Sequence, residues 1–333
     1  MIIVLVFAAF IAAAGVSWMV RRAAILDHPN ARSSHSTPTP RGGGLGILAA
    51  IGIGLTPALV PEFNIDARPV VLAAMGFGLL GLADDLLALG TKLKFLTVVL
   101  LGSVITWLAG PVGAIAMTDG LSASLPYWAG FAGSVLWIFV VANSANFMDG
   151  SDGLTIANFL PAGLALLVLQ PGAVALTGLA LAAGLAGFAV FNIPRASLFM
   201  GDVGSLAIGA VFAAAALMGI QDGLDVWLYP LLILPVLADV LLTLTGKLRN
   251  GIGFLAPHRT HAYQLLVRMG WPHWQVALVY LGLSSVCAVL VILAGPAGWL
   301  NAFAAFWGAV IGLTVLHTLV RRRAAASGID LKN

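Results

Sequence analysis

The sequence predicts an all-α polytopic membrane protein, a bundle of 10–11 transmembrane helices. Apolar residues make up 60% of the 333 positions and charged residues only 9%, a composition that excludes a soluble globular chain. Apolar runs of roughly 17–25 residues recur along the chain, and a run of that length spans a ~30 Å hydrocarbon core as a helix. Helices are expected because lipid offers the backbone no hydrogen-bond partner outside its own segment.

Eleven spans are expected. The first run, Met1 to Val20, is predicted to be a membrane helix and not a signal peptide, because no charged segment precedes it and no small-residue cleavage site is evident. Turn residues at 170–172 and at 295–298 separate the sixth span from the seventh and the tenth from the eleventh. The expected spans are 1–20, 44–60, 69–83, 95–110, 128–144, 156–170, 174–191, 203–220, 226–245, 274–295 and 299–320.

Lysine and arginine are distributed unequally between the two sides that these spans define. Of the 16 such residues, 15 fall on one side and only Arg68 falls on the other. The positive-inside rule assigns the crowded side to the cytoplasm, with the N-terminus outside and the C-terminus inside. We therefore expect one integral-membrane domain over 1–333, with a basic cytoplasmic tail at 321–333, in a bacterial inner membrane. The polar clusters all lie in loops of the basic side: 27–44, 84–94, 143–153, 192–205 and 239–264.

The paired acids Asp84 and Asp85 directly follow an apolar run, where an unpaired carboxylate is costly to hold. Adjacent acids commonly serve a metal-phosphate site. The alternative is a solvated helix end near Lys92 and Lys94, which is equally compatible with an isolated pair.

The stretch 143–153 has the densest set of polar residues and is the most specific motif in the chain. Asn143 and Asn146 are three residues apart, so they share a face on a helical last turn. Asp149 and Asp152 follow, and the neighbouring glycines let the backbone approach a ligand. A capped helix end followed by a turn is the alternative.

A third acid, Asp202, lies between Gly201 and Gly204 at the start of a span. It suits Mg²⁺, which prefers oxygen ligands, water and substrate phosphates. When Asp202 is considered alone, a role as the N-cap of the following helix explains its position as well or better.

The late loop at 257–261 contains His258, Arg259 and His261 among further basic residues. The two histidines have zinc-like spacing, but nothing nearby completes a zinc site, and the single cysteine, Cys287, lies within an apolar run. Arginine and histidine donors facing an anionic substrate fit better. A basic loop held near anionic headgroups is the alternative.

Two further features are weaker. The first basic-side loop leads from Asp27 through Arg41 to three glycines, whose N–H groups could bind phosphate or form a hinge. Asp239 lies late in an apolar run, where an acid is a functional candidate or the partner of a base such as Lys247.

In this order, the clusters resemble the polyprenyl-phosphate N-acetylhexosamine-1-phosphate transferases of glycosyltransferase family 4. The resemblance extends from Asp27 to about Arg268. It implies a membrane-helix bundle with a cytoplasmic catalytic cleft and a hydrophobic groove for lipid. The implied reaction transfers a sugar 1-phosphate from a UDP-sugar to undecaprenyl phosphate and releases UMP, with Mg²⁺ as cofactor and Mn²⁺ as a substitute.

The resemblance also implies roles for individual residues. Asp202 and Asn146 would bind Mg²⁺. Asp84 and Asp85 would act on the lipid phosphate, either as base or as organisers of the metal site. The remaining expected residues are Asp149 and Asp152 for catalysis and Lys94, Asn143, Arg41, His258, Arg259 and His261 for substrate binding, with Lys94 meeting the pyrophosphate.

Two departures from the family pattern narrow the assignment. Leu86, Leu87 and Ala88 follow the paired acids, where many relatives carry another acid or amide, and the late loop lacks the three-histidine run typical of the peptidoglycan branch. We therefore expect an O-antigen or other surface-glycan initiating enzyme. The alternatives are a phospho-N-acetylmuramoyl-pentapeptide transferase and, from other classes, a secondary transporter or a scaffold. Expected partners are the two substrates and membrane lipid, with no nucleic acid and a homodimer left open.

Overall fold

The computed structural model describes residues 2–23, 26–27, 38–118, 121–253, 259–296, 298 and 300–331. Most of this part of the chain is helical, and eight of its helices are long and apolar enough to cross a membrane. The chain is therefore an all-α polytopic membrane protein, as predicted. The helices are α1 (Ile2–Ala23), α2 (Gly44–Gly54), α3 (Arg68–Leu87), α4 (Thr91–Ala109), α5 (Tyr127–Met148), α6 (Leu154–Leu169), α7 (Ala173–Asn192), α8 (Asp202–Gln221), α9 (Leu228–Leu232), α10 (Leu234–Arg249), α11 (Ala262–Arg268), α12 (His273–Ala294) and α13 (Ala302–Ala326).

Each predicted span coincides with a helix, with two departures in form. The second span, predicted over 44–60, is helical only to Gly54 and continues as the 3₁₀ turns Thr56–Leu59 and Pro61–Phe63. The ninth span is broken at Ile233 into α9 and α10. Pro235 lies in the first turn of α10, and a proline cannot donate the N–H that a continuous helix would need there.

Helix α8 forms the centre of the bundle and is buried over almost its whole length. It packs closely on α2 and α3 because glycines lie at the contacts. A Cβ at Gly81 of α3 would lie 2.2 Å from the Asp202 carbonyl oxygen, and one at Gly44 of α2 would lie 2.2 Å from the Gly204 Cα. Small residues allow membrane helices this close approach.

Hydrogen bonds and ion pairs gather the polar clusters at one end of the bundle, here called the polar end. Arg41 lies beside Asp85, and Asn146 donates to Asp202. For the described residues, the prediction that these clusters share one end is confirmed.

The opposite end is closed by the antiparallel strands β3 (Ala114–Thr118) and β4 (Leu121–Ser124). The Trp227 indole donates to the Ala116 carbonyl, and the Gln221 amide donates to the Pro111 carbonyl. A shorter strand pair, β1 (Leu26–Asp27) and β2 (Thr39–Pro40), lies at the polar end beside Arg41.

Candidate active site

A lysine joins two carboxylates at the polar end. Asp84 is in the last turn of α3, Asp202 is the first residue of α8, and Lys94 is in the first turn of α4. The Lys94 Nζ lies 2.7 Å from Asp84 Oδ2 and 2.5 Å from Asp202 Oδ2. Because α3 and α8 touch at Gly81, the ends of the two helices bring these acids together.

Asp85, the next residue of α3, has a different environment from that of Asp84. Its carboxylate is nearly buried and accepts hydrogen bonds from the backbone N–H groups of Asp202, at 3.2 Å, and Val203, at 3.1 Å. Arg41 approaches the same carboxylate to 3.6 Å and also donates to the Asp85 backbone carbonyl. Asp85 therefore caps the N-terminus of α8, where the helix dipole favours an anion.

Asn146 fixes the orientation of the Asp202 carboxylate from the side opposite Lys94. Its Nδ2 donates to Asp202 Oδ1 at 2.7 Å and to Ser205 Oγ at 3.0 Å. Asn143, one turn earlier in α5, instead donates to the Phe139 carbonyl at 2.7 Å. The two amides therefore differ in their hydrogen-bond partners, although their spacing placed them on one helical face.

The loop between α5 and α6 carries two acids with separate partners. Asp149 accepts a hydrogen bond from Thr155 Oγ1 at 2.9 Å, and burial raises the pKa of its carboxyl well above the usual value. Asp152 accepts from the Ala196 N–H at 3.0 Å, while its own N–H donates to His273 Nδ1. Asp152 thus holds the α7–α8 connection against this loop.

Helix α11 forms the far wall of the site and is anchored by Asp239. That buried carboxylate accepts hydrogen bonds from the Ala262 N–H at 2.7 Å, the Tyr263 N–H at 3.2 Å and the Tyr280 hydroxyl at 2.6 Å. Its basic neighbour is His261, whose Nδ1 lies 3.5 Å away. Asp239 therefore ties α10, α11 and α12 together.

Tyr263 connects this wall to the end of α5. Its hydroxyl donates to the Phe147 carbonyl at 3.0 Å, and its burial raises the pKa of the phenol. The α11 helix is thereby fixed from two directions, by Asp239 beneath it and by Phe147 across from it.

These groups surround a cavity of about 260 Å³ at the polar end. Four acids and three arginines line it, so the cavity can hold an anion and a cation together. Its lining residues are Asp27, Arg41, Asp149, Gly150, Ser151, Asp152, Asn192, Phe199, Met200, Gly201, Asp202, Arg259, Tyr263, Gln264, Val267 and Arg268.

The residues expected from the sequence are distributed unevenly around this cavity. Five of them line it: Arg41, Asp149, Asp152, Asp202 and Arg259. Four more lie around Asp202. Lys94 and Asn146 donate hydrogen bonds to its carboxylate, Asp85 accepts one from its backbone N–H, and Asp84 is bonded to the same lysine.

Of the other three expected residues, two are described and lie away from the cavity lining. Asn143 bonds to its own helix, and His261 is buried and caps α11 through a reciprocal contact with Gln264. Neither of the two lines the cavity. His258 lies outside the described residues.

Several residues of the cavity wall were not predicted from the sequence. Asn192 lines the cavity and accepts a hydrogen bond from the Gly153 N–H at 2.7 Å. A lone asparagine at the end of an apolar run was the only available signal for it. Tyr263 and Gln264 gave no signal, because their role depends on where α11 packs.

The donor set at Asp202 fits a hard divalent cation. Two carboxylates that approach a common ammonium, with an amide beside them, are oxygen-rich ligands of the kind that Mg²⁺ combines with water and substrate phosphates. No cluster of three or more His, Cys, Asp or Glu residues with metal-binding geometry occurs in the described part of the chain. Two carboxylates and one amide would leave the remaining coordination positions of such an ion to water or substrate.

Comparison with known proteins places the chain in a family. The family model of glycosyl transferase family 4 matches residues 68–220, which extend from α3 through α8 and include the acids around Lys94. A phospho-N-acetylmuramoyl-pentapeptide-transferase of Desulforamulus reducens is 30% identical over 286 residues, covering 79% of this chain and 84% of that protein. The chain belongs to glycosyl transferase family 4.

Other relatives are similar over more of the chain. A probable undecaprenyl-phosphate N-acetylglucosaminyl 1-phosphate transferase of Bacillus subtilis is 29% identical, covering 86% of this chain and 84% of that protein. A decaprenyl-phosphate N-acetylglucosaminephosphotransferase of Mycobacterium leprae is 28% identical, covering 92% of this chain and 87% of that protein. Like these relatives, the chain is a transferase, and its helices make it a multi-pass membrane protein.

Proposed function

We propose that this chain transfers N-acetylhexosamine 1-phosphate from a UDP-sugar to undecaprenyl phosphate, giving a lipid-linked sugar pyrophosphate and UMP. The observation that carries the proposal is the cavity at one end of a membrane bundle, which is lined by three arginines and by Asp202, itself joined to Asp84 through Lys94. That place suits a reaction between one water-soluble and one lipid-held anion. The names of two relatives, which combine a polyprenyl phosphate with N-acetylglucosamine phosphate transfer, support this class of acceptor and of transferred group.

The chemistry requires two anions to meet. An oxygen of the lipid phosphate attacks the β-phosphorus of the UDP-sugar, the bond between that phosphorus and the bridging oxygen breaks, and UMP leaves with the bridging oxygen. Catalysis of phosphoryl transfer consists mainly of positioning and charge neutralisation. Repulsion between the two phosphates is the main obstacle, and the cations of the site reduce it.

The residues divide this work. Asp202, Asp84 and Asn146 would hold Mg²⁺, which supplies charge neutralisation at the phosphates when bound. Arg41, Arg259 and Arg268 line the cavity where guanidinium groups can bind phosphate oxygens.

An aspartate base is not required. A phosphate monoester has a second pKa near 6 and is largely a dianion at neutral pH. The Asp85 carboxylate already accepts hydrogen bonds from the N-terminus of α8. We therefore assign Asp85 to positioning Asp202, and Asp84 to holding the cation.

We further propose that the polar end faces the cytoplasm of a bacterial inner membrane and that the product initiates a surface glycan. The late loop favours this over the peptidoglycan branch, because Arg259, Thr260 and His261 stand where a run of histidines is typical of that branch. Transfer of phospho-N-acetylmuramoyl-pentapeptide is the second candidate, since a relative of that name is 30% identical.

A reconstituted assay tests the proposal. Purified protein with Mg²⁺, undecaprenyl phosphate and a panel of UDP-sugars, including UDP-N-acetylmuramoyl-pentapeptide, is expected to release UMP with a UDP-N-acetylhexosamine. Chelation of the metal should stop the release, and Mn²⁺ should restore part of it. Asp202→Ala should abolish it, whereas Asp222→Ala, at the opposite end of α8, should not. Undiminished release by Asp202→Ala would remove that residue from the mechanism, and no release with any sugar would refute the activity.

A further inference from the structure

A second cavity, of about 430 Å³, lies between α10, α11, α12 and α13. Its volume is within the roughly 300–1,000 Å³ range of sites that enclose most of a small ligand. In contrast to the active-site cavity, its lining is almost entirely apolar. The lining residues are Pro235, Ala238, Asp239, Ala262, Leu266, Met269, Trp271, Val279, Tyr280, Leu283, Leu313, Leu316, His317, Leu319, Val320 and Arg323.

This second cavity, here called the α13 groove, opens toward the lipid-facing surface. Leu316 and Leu319 on α13 are 37% and 55% exposed, and Val279 on the facing side of α12 is 36% exposed. Since α12 and α13 are both long and apolar enough to span a membrane, the open side of the groove adjoins hydrocarbon. Its natural occupant is therefore a hydrocarbon chain.

The polar groups within the groove are already hydrogen-bonded. Asp239 accepts from Tyr280 and from two backbone N–H groups, and His317 Nε2 lies 3.2 Å from the Thr243 hydroxyl. These groups do not need a polar ligand in the hydrocarbon part of the groove. The apolar walls are therefore the binding surface of the groove.

The polar-end mouth of the groove is basic. Arg323 lines it from the last turn of α13, next to Arg321 and Arg322, and Trp271 lies 41% exposed at the same mouth. The Arg321 guanidinium is used to donate to the Thr260 carbonyl. Guanidinium groups bind phosphate through charge-assisted hydrogen bonds, and tryptophan favours the headgroup region of a membrane. Charge complementarity thus points to an anionic headgroup above a hydrocarbon chain.

Helix α11 separates the groove from the active-site cavity. Ala262, Leu266 and Met269, at helical spacing, face the groove, whereas Tyr263 and Val267 line the active-site cavity. A lipid in the groove therefore has its phosphate at Arg323, on the far side of α11 from Asp202. The lipid that accepts the sugar phosphate must bring its phosphate to Asp202, so the groove is a different site.

We propose that the α13 groove binds one anionic membrane phospholipid, with an acyl chain between α12 and α13 and the phosphate at Arg323. This site does not depend on the proposed transferase reaction. Its ligand class is set by the apolar lining and by the arginine at the mouth.

Native mass spectrometry of the full chain in detergent tests the site with wild-type protein first. With phosphatidylglycerol or phosphatidylcholine added at equal concentrations, we expect one phosphatidylglycerol per chain to be retained and phosphatidylcholine to be lost. Added undecaprenyl phosphate should leave the bound phosphatidylglycerol in place. Equal retention of the two phospholipids would overturn the charge argument, and displacement by undecaprenyl phosphate would assign the groove to the acceptor lipid.

Matched variants then locate the lipid. Leu316→Trp fills the groove and should abolish retention, whereas Val315→Trp, on the adjacent lipid-facing position, should not. Arg323→Gln should weaken retention about fivefold, with Arg322→Gln as its neighbour control. Retention by Leu316→Trp equal to that by Val315→Trp would place the lipid elsewhere and refute the proposal.

Discussion

The Asp85 carboxylate accepts hydrogen bonds from the backbone N–H groups of Asp202 and Val203. Asp85 of the paired acids therefore holds the N-terminus of α8, the helix that begins with Asp202. Asp84, its neighbour, shares Lys94 with Asp202. The two adjacent carboxylates thus have different partners, because successive residues in the last turn of a helix point in different directions.

Replacement of Asp85 should affect both stability and activity. Asp85→Ala removes a helix cap worth about 0.5–2 kcal/mol and frees Asp202 to turn away, so we expect a lower melting temperature in detergent and little UMP release. Asp85→Asn keeps one acceptor and should be intermediate. Asp66→Ala removes an exposed ion pair with Arg68 and a hydrogen bond from the Arg68 backbone N–H at the other end of α3, so it should lower the melting temperature less and leave UMP release unchanged. Full activity in Asp85→Ala would contradict the positioning role.

A divalent cation should partly replace the Lys94 ammonium in reducing the repulsion between the Asp84 and Asp202 carboxylates. In Lys94→Gln, the carboxylates of Asp84 and Asp202 repel each other, so the melting temperature without Mg²⁺ should fall below that of the wild type. Added Mg²⁺ should raise it more than it raises that of the wild type, and UMP release should still be lowered about 10²-fold or more.

The matched control for Lys94 is Lys92→Gln, in the same turn of α4 but exposed. It should behave as wild type in both measurements. If Mg²⁺ shifted the melting temperatures of all three proteins equally, the cation would bind elsewhere than between Asp84 and Asp202.

Replacement of Asp239 should lower activity by loosening α11. In Asp239→Asn, the Ala262 and Tyr263 N–H groups lose a charged acceptor, and the wall that carries Tyr263 and Arg268 loosens. Misplacement of binding groups by about 1 Å costs up to roughly 10²-fold, so kcat/KM for the UDP-sugar should fall mainly through KM. Tyr280→Phe, which removes one of the contacts, should have a smaller effect. A fall in kcat with unchanged KM would argue against this role.

Close packing of α3 on α8 should make Gly81 intolerant of any side chain. A Cβ there would meet the Asp202 backbone at 2.2 Å, so Gly81→Ala should push α8 away from α3, lowering both the melting temperature and UMP release. Gly52→Ala is the control, since no atom lies within 4 Å of its Cβ position. Helix propensity makes that change neutral or stabilising by up to about 1 kcal/mol. Equal behaviour of the two variants would contradict the packing argument.

The proposed orientation can be tested by labelling in intact cells. On a Cys287→Ala background, Ser122→Cys lies in β4 at the opposite end of the bundle and Ser327→Cys follows α13 at the polar end; both positions are exposed. An impermeant maleimide should label the first and not the second until the membrane is opened. The reverse pattern would place the polar end outside the cytoplasm.

The sequence alone determined the helical membrane architecture and predicted that the polar clusters lie together at one end of the bundle. Both follow from local quantities: the length of each apolar run against the thickness of the bilayer, and the position of charge between runs. Asp84, Lys94, Asn146 and Asp202 were predicted as site residues for a related reason, because polar residues at apolar helix ends are costly to hold unless they serve a function.

Only the tertiary structure decided which of these residues touch. Asn143 and Asn146 are equivalent by spacing, yet only Asn146 reaches Asp202, because α8 packs against that part of α5. His261 was expected to bind substrate and is instead buried beside Asp239, while Tyr263 and Gln264 of the same segment line the cavity. Such contacts depend on how distant helices pack, and a linear pattern does not encode the distance between α5, α8, α10 and α11.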